Sequence, residues 1–234
     1  MVGLFVYNYN SPTFVLKEEK TSLKDSFSSN FIESNYSSLT SKELKVLSSK
    51  MKDNDVLKRL YATFNKDSDL IGLGIVQTLF AKQTKSDSLF TIAGNNLLSN
   101  PEAIKTKSDA DYIFGKAKEN FQTAIDINKN NLAANNGLAL CYIDYDQQVM
   151  KGVGLLKQTL SQDSNNIEAI QYLGFLSIKS NQLEKAIERF KKLVDLQPLN
   201  SEHYNNLSEV YLRMGDKQKA IYYLNIGKKL SENK

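Results

Sequence analysis

A repeat interval of 34 residues constrains the fold of this chain more than any other feature of its sequence. Leu173, Ala186 and Phe190 are followed, 34 residues later, by Leu207, Ala220 and Leu224. Each interval reads as two short amphipathic helices joined by a tight turn. A period of this length with this pattern predicts stacked helix-turn-helix units, in which each unit covers the apolar surface of its neighbour.

The repeat register has a clear physical basis when the small residue of each second helix is taken as position 20. Position 20 is Ala117, Gly152, Ala186 and Ala220; position 24 is Phe121, Leu156, Phe190 and Leu224; position 27 is Ala124, Thr159, Leu193 and Gly227. First helices carry a large-small pair at positions 7 and 8, namely Leu138-Ala139, Leu173-Gly174 and Leu207-Ser208. The small residues allow close helix approach, and we expect position 24 to fill the core behind them.

These residues resemble the tetratricopeptide repeat (TPR) family, with well-matched repeats at 132–166, 167–200 and 201–231 and a degenerate repeat at about 86–131. The resemblance implies an all-α fold, a right-handed α-solenoid over residues 86–234, preceded by a less regular helical region. The interval from Ala117 to Gly152 is one residue too long. We expect the turn at Asp144–Gln148 to absorb the additional residue.

The part of the chain before the repeats divides into two regions by composition. Residues 1–38 predict an arm or linker that lies on the helical body, and residues 8–38 within it are rich in Ser and Asn. Residues 39–85 predict irregular helices, beginning at a capping box of Thr40 and Glu43. The stretch Leu70–Phe80 is apolar nearly all round and predicts the most buried helix of this region. Gly72 and Gly74 favour close helix contact over a phosphate loop, since no Lys follows at the required spacing.

The family resemblance implies a partner-binding groove lined by positions 5, 9 and 12 of the first helices. Those positions hold Asn136, Leu140, Ile143, Gln171, Phe175, Ile178, Asn205, Glu209 and Leu212. The positions with which co-chaperone TPR domains hold a terminal carboxylate are here Asn136, Leu140, Tyr172, Glu202 and Asn206. This set lacks the Lys and Arg side chains of such a clamp, so we expect no adaptor for heat-shock proteins.

Catalysis, metal binding and a cofactor find no support in the residue types present. The chain has one histidine, His203, and one cysteine, Cys141. A single His and a single Cys cannot make a structural zinc site. His203 is expected to face solvent and Cys141 to be buried packing, and the charged pair Glu188-Arg189 is expected on a solvated face. We therefore predict that the protein is not an enzyme.

The last helix predicts a second contact surface. Tyr222, Tyr223 and Ile226 are expected to point outward, with Lys228 and Lys229 at the rim. Aromatic residues supply much of the binding energy of protein interfaces. This patch therefore predicts either a homodimer through the C-terminal helix or contact with another protein.

Three functional hypotheses follow. The leading one is a protein-protein interaction scaffold or adaptor that stabilises a partner, in a bacterial cell-envelope complex. The second is a self-assembling structural subunit, and the third is a peripheral nucleic-acid binder. A net charge of +4 is a weak electrostatic attraction, so we do not expect nucleic acid. No apolar run reaches the roughly 20 residues of a membrane span. We expect a cytoplasmic protein, or an anchored or periplasmic one if Val2–Tyr7 end a longer apolar segment.

Overall fold

The structure is a computed structural model that describes residues 31–48 and 52–232, and all regular structure in these ranges is helical. The chain forms two compact units, Met1–Asn131 and Leu132–Lys234. Most of the predicted arm at 1–38 lies outside the described residues. Its described end is helical over residues 31–35, where Phe31 and Ile32 are buried.

After the helical residues 31–35, the first unit contains five longer helices in the described ranges, each packed on the next along the chain. They are α1 (Ser41–Leu47), α2 (Asn54–Lys66), α3 (Leu70–Thr84), α4 (Asp87–Leu98) and α5 (Lys107–Ile127), with a 3-10 turn at Pro101–Ala103. The predicted capping box at the start of α1 is confirmed, since Thr40 accepts from the Glu43 N–H and the Glu43 carboxylate accepts from the Thr40 N–H. α4 and α5 lie in the range 86–131, for which the sequence predicts a degenerate repeat.

Helix α3 occupies the centre of the first unit, as its composition predicts. Its buried residues include an unbroken run from Ile71 to Thr78. At Gly74 a Cβ atom would lie 2.9 Å from the carbonyl oxygen of Ala93, so only glycine permits the close approach of α3 and α4. The expectation of a packing glycine is confirmed at this position. The ring of Phe31 stacks on Tyr112 of α5, with 4.4 Å between ring centroids.

The second unit contains three consecutive helix pairs. The helices are α6 (Leu132–Leu140), α7 (Val149–Gln162), α8 (Ile167–Lys179), α9 (Leu183–Leu196), α10 (Ser201–Arg213) and α11 (Lys217–Glu232). Asn166 and Asn200 cap α8 and α10 with their side chains at equivalent repeat positions. α7 packs on α8 and α9 packs on α10, so each first helix after α6 covers the second helix of the repeat before it.

The additional residue of the first repeat is accommodated earlier than the sequence suggests. Cys141–Tyr145 forms a π-helix directly after α6, in which the Asp146 N–H donates to the carbonyl oxygen of Cys141 at 3.1 Å. The wider π turn takes up one residue inside the helix instead of in the Asp144–Gln148 turn. Gln147 and Asn181 both have a left-handed backbone conformation, so the two turns are already in register.

Two apolar clusters form the core of the second unit. One joins Leu156 of α7 to Ala169 and Leu173 of α8. The other joins Phe190 of α9 to Leu207 and Val210 of α10. Ala186 and Ala220 are buried at position 20, as predicted, whereas Leu224 at position 24 is exposed. The expectation that Leu224 fills the core is wrong because no described helix covers the face on which it lies.

None of the described helices has the length and hydropathy needed to cross a bilayer.

Candidate protein-binding groove

The nine predicted groove residues lie on α6, α8 and α10 and on the π-helix after α6, but they differ in accessibility. Asn205 and Leu212 are exposed, and Leu140, Gln171, Phe175 and Glu209 are half-buried. Asn136, Ile143 and Ile178 are buried. The accessible six lie one after another on successive first helices of the second unit, and contact between them and a partner stays a prediction.

The buried Asn136 links two repeats. Its Nδ2 donates to the Asn166 side chain at 2.9 Å and to the Glu168 carboxylate at 3.0 Å. Asn166 at the same time accepts from the Ala169 N–H at the start of α8. The Asn136 side chain therefore holds the capped end of the next first helix, and its Oδ1 is buried without a described hydrogen-bond partner.

Ile143 and Ile178 at position 12 pack against the following repeat and do not line an open surface. Ile143 belongs to the cluster with Ala169 and Leu173, and Ile178 to the cluster with Leu207 and Val210. The assignment of position 12 to the groove is therefore corrected for these two residues. Leu212, at the same position of the last repeat, remains exposed.

The accessible groove residues are apolar or uncharged apart from one ion pair. Phe175 packs edge-on against the buried ring of Phe190, with 5.4 Å between centroids. Glu209 accepts two hydrogen bonds from the Arg213 guanidinium, at 2.7 and 3.1 Å, one turn further along α10. The only carboxylate among the nine residues is therefore already paired within its own helix. The remaining strip would suit a partner with apolar side chains and backbone amides.

Arg189 has a structural role that the sequence did not indicate. Position 11, which carries a tyrosine in the other repeats, is Ser177 here. The Arg189 guanidinium crosses from α9 to donate to the Ser177 hydroxyl and to the carbonyl oxygen of Leu173. Burial lowers the pKa of Arg189. The expectation that this side chain belongs to a solvated face is wrong, because it is half-buried and bonded to the first helix of its own repeat.

His203 is buried and not solvent-facing. It is 1% exposed, and its Nε2 lies 2.9 Å from Gln197 Oε1 and 3.2 Å from Asn200 Nδ2, while Nδ1 is buried without a described partner. The position of His203 in the repeat predicts this burial, since the equivalent residues Ala134 and Ala169 are fully buried. Burial lowers the pKa of His203, because the charged imidazolium would lose its hydration.

The stability of the second unit should therefore fall when the pH decreases from 7 to 5. His203 binds a proton more readily in the unfolded chain, where its pKa is near the ordinary 6.5. The contribution of the neutral His203 side chain to the free energy of unfolding is fully present above this pKa and is lost below it, with a limiting slope of about 1.4 kcal/mol per pH unit. Urea denaturation at several pH values, compared with His203→Gln, measures the effect. An equal pH dependence in the variant would contradict it, since the carboxylates with lowered pKa titrate only in more acidic solution.

The predicted patch on the last helix is divided by the structure. Tyr222 is exposed and Ile226 is half-buried. Tyr223 packs inward, stacked on Tyr211 of α10 with 5.4 Å between ring centroids. The three residues therefore do not form one outward surface.

Chemistry-bearing side chains do not cluster in the described ranges. No group of three or more His, Cys, Asp and Glu residues there could hold a metal ion. Cys141 is buried, as expected, in the π-helix.

Comparisons with known proteins agree with the repeat pattern. A family model described as tetratricopeptide repeat matches residues 190–222. The BBSome complex member BBS4 of Bos taurus is 32% identical over 116 residues, and the mitochondrial import receptor subunit TOM70 of Rattus norvegicus is 28% identical over 83 residues. These matches cover 48% and 36% of the chain, but only 22% and 14% of those two proteins.

Solved structures give the same picture at the level of the fold. A structure of MamA from residue 41 to its end, from Desulfovibrio magneticus RS-1, superposes with a TM-score of 0.57 over 77% of this chain and 96% of that chain, at 15% sequence identity. At this identity the likeness concerns the fold alone. It agrees with the all-α solenoid that the sequence predicts.

Proposed function

Since the second unit is built of tetratricopeptide repeats, we propose that this protein is a non-enzymatic scaffold that binds another protein along α6, α8 and α10. The observation that carries the proposal is the strip of accessible side chains on three successive first helices, with Leu140 and Phe175 as its apolar members. Apolar residues aligned in this way on a rigid support favour a helical or extended partner segment.

The character of the strip supports a partner recognised by shape and apolar contact more than by charge. Gln171 and Asn205 offer uncharged amides, and the Glu209 carboxylate is already paired with Arg213. A partner with apolar side chains and free backbone groups would match both features. A negatively charged polymer such as nucleic acid would find no cluster of cations on these nine residues.

A pull-down with the full chain tests the groove. Gln171→Arg/Asn205→Arg places two bulky cations on the strip at side chains that are half-buried and exposed. The matched control, Gln158→Arg/Gln218→Arg, makes the same chemical change on exposed positions of α7 and α11. We expect the groove variant to recover at least about tenfold less partner than the control, a difference of about 1.4 kcal/mol in binding. Equal recovery by both variants would contradict the proposal.

A cell-envelope location is the finer form of the proposal, and the apolar residues of Val2–Tyr7 motivate it. Fractionation of cells that express the protein tests this location directly. Recovery in the cytosolic fraction alone would contradict it, without affecting the groove.

A further inference from the structure

Helix α11 presents a face that corresponds, residue by residue, to faces covered in the two preceding repeats. In the last repeat this face carries Lys217, Ile221, Leu224 and Lys228. The equivalent residues are Leu183, Ile187, Phe190 and Val194 on α9, and Val149, Val153, Leu156 and Leu160 on α7. All eight of these are buried or half-buried. The face on α11 is therefore a helix-docking surface by its register.

Burial differs sharply between the equivalent positions. Phe190 is 0% exposed because α10 covers it, whereas Leu224 is 37% exposed. Ile178 is 3% exposed, whereas Leu212, its equivalent on α10, is 60% exposed. Ile221 is exposed next to them. Among the described residues no helix covers this face.

The charges at the two ends of the face indicate what would cover it. The inner repeats have apolar residues at all four positions, and the last repeat keeps the two apolar residues in the middle but has lysines at both ends. Neither Lys217 nor Lys228 forms a salt bridge with a described residue. Lys217 also lies in the first turn of α11, where the helix dipole disfavours a cation. Its charge therefore does not serve the helix itself.

We propose that this end face, formed by Leu212, Lys217, Ile221, Leu224 and Lys228, binds an amphipathic helix of a partner protein that has carboxylates at both ends of its apolar stripe. The two lysines are 11 positions apart in α11, a distance of about 16 Å along the helix axis, so three turns of a partner helix would span them. The site goes beyond the proposed groove, since four of its five residues belong to a second helix.

A second copy of the chain fits this face poorly. In an antiparallel two-fold pair of α11 helices, Ile221 would oppose Leu224, and Lys217 would then oppose Lys228, which places like charges together. Head-to-tail stacking would require α6 of another copy as the cover. The side chains that α6 would offer, Ala134, Asn135 and Leu138, are already buried. Charge therefore favours an acidic helix from a different protein.

Two synthetic helices test the proposal with the full chain. Each has about 16 residues, with Ile and Leu in the middle of one face, and one carries Glu at both ends of that face where the other carries Lys. We expect the acidic peptide to bind at least about tenfold more tightly at about 0.15 M salt, by fluorescence anisotropy. Equal binding of the two peptides, or no binding of either, overturns the proposal.

Variants locate the binding on the protein. Lys217→Glu/Lys228→Glu should weaken binding of the acidic peptide at least about tenfold and strengthen binding of the basic peptide. Ile221→Gln/Leu224→Gln should weaken binding of both peptides. Lys157→Glu/Lys185→Glu changes the net charge equally at exposed lysines outside the face and should leave binding unchanged. An equal loss in this control would mean unspecific electrostatic attraction and overturn the site.

Three further measurements separate this site from the alternatives. Sedimentation of the full chain should show no mass increase that depends on Ile221 and Leu224; such an increase would assign the face to a second copy. Flotation with phosphatidylserine–phosphatidylcholine vesicles should recover no protein, and recovery lost in Lys217→Glu/Lys228→Glu would assign it to a membrane. The groove variant Gln171→Arg/Asn205→Arg should bind the acidic peptide normally, so failure of either site leaves the other one unaffected.

Discussion

Phe190→Ala is expected to lower the free energy of unfolding of the second unit by about 3–5 kcal/mol. The side chain is fully buried and joins α9 to Leu207 and Val210 of the next repeat. Its ring also contacts Phe175, and a Cβ at Gly174 would lie 2.9 Å from it. Removal of the ring therefore opens a cavity at the junction of two repeats. Chemical denaturation of the full chain measures the change.

The neighbouring residue provides the control. Lys191 is exposed on the same helix, and Lys191→Ala should change stability by about 0.5 kcal/mol or less. If the two variants unfold at the same denaturant concentration, the helical phase of α9 is wrong and with it the repeat register.

Gly152→Ala is expected to destabilise the second unit by about 1–3 kcal/mol, although alanine is the better helix former. A Cβ at this position would lie 2.7 Å from the carbonyl oxygen of Ala139 and would overlap the side chain of Ile143. The backbone of α6 cannot move away as a flexible side chain can, so the two helices of the first repeat must separate. Urea denaturation reports the loss.

The same helix contains a glycine with the opposite expectation. A Cβ atom at Gly154 would meet no neighbouring atom within 4 Å, and Gly154→Ala should raise stability by about 0.5–1 kcal/mol. The pair of variants thus compares one substitution in a tight and in an open position of α7. A gain in stability for both would show that α6 and α7 are not in close contact at Gly152.

The sequence predicted the repeat fold well because its period restricts both helix contact and helix length. Ala186, Phe190 and Leu193 are all fully buried at positions 20, 24 and 27. The same register, applied strictly, also places His203 with Ala134 and Ala169, so its burial could have been predicted. The expectation of a solvent-facing His203 followed from its polar side chain, whereas its position in the repeat predicts burial.

Other features depend on interactions that no single repeat reveals. Arg189 donates to Ser177, which stands where Tyr142 and Tyr211 stand in the neighbouring repeats, and Leu224 is exposed because no described helix lies against it. Ile143 and Ile178 are buried because the following repeat lies against them. Whether an outward position is a groove, a packing surface or an end face depends on what lies next to it, which a periodic sequence alone does not show.

Because of the Asn136 side chain, the two ends of the second unit differ in their effect on α8. It donates to Asn166 and Glu168, so the first turn of α8 relies on a group from the preceding repeat. If α6 loosens, α8 loses part of its support at the end where a helix has free N–H groups. If α11 loosens, this support remains in place. Loosening of α6 should therefore weaken the start of α8, whereas α11 can detach and return with the Asn136 support of α8 intact.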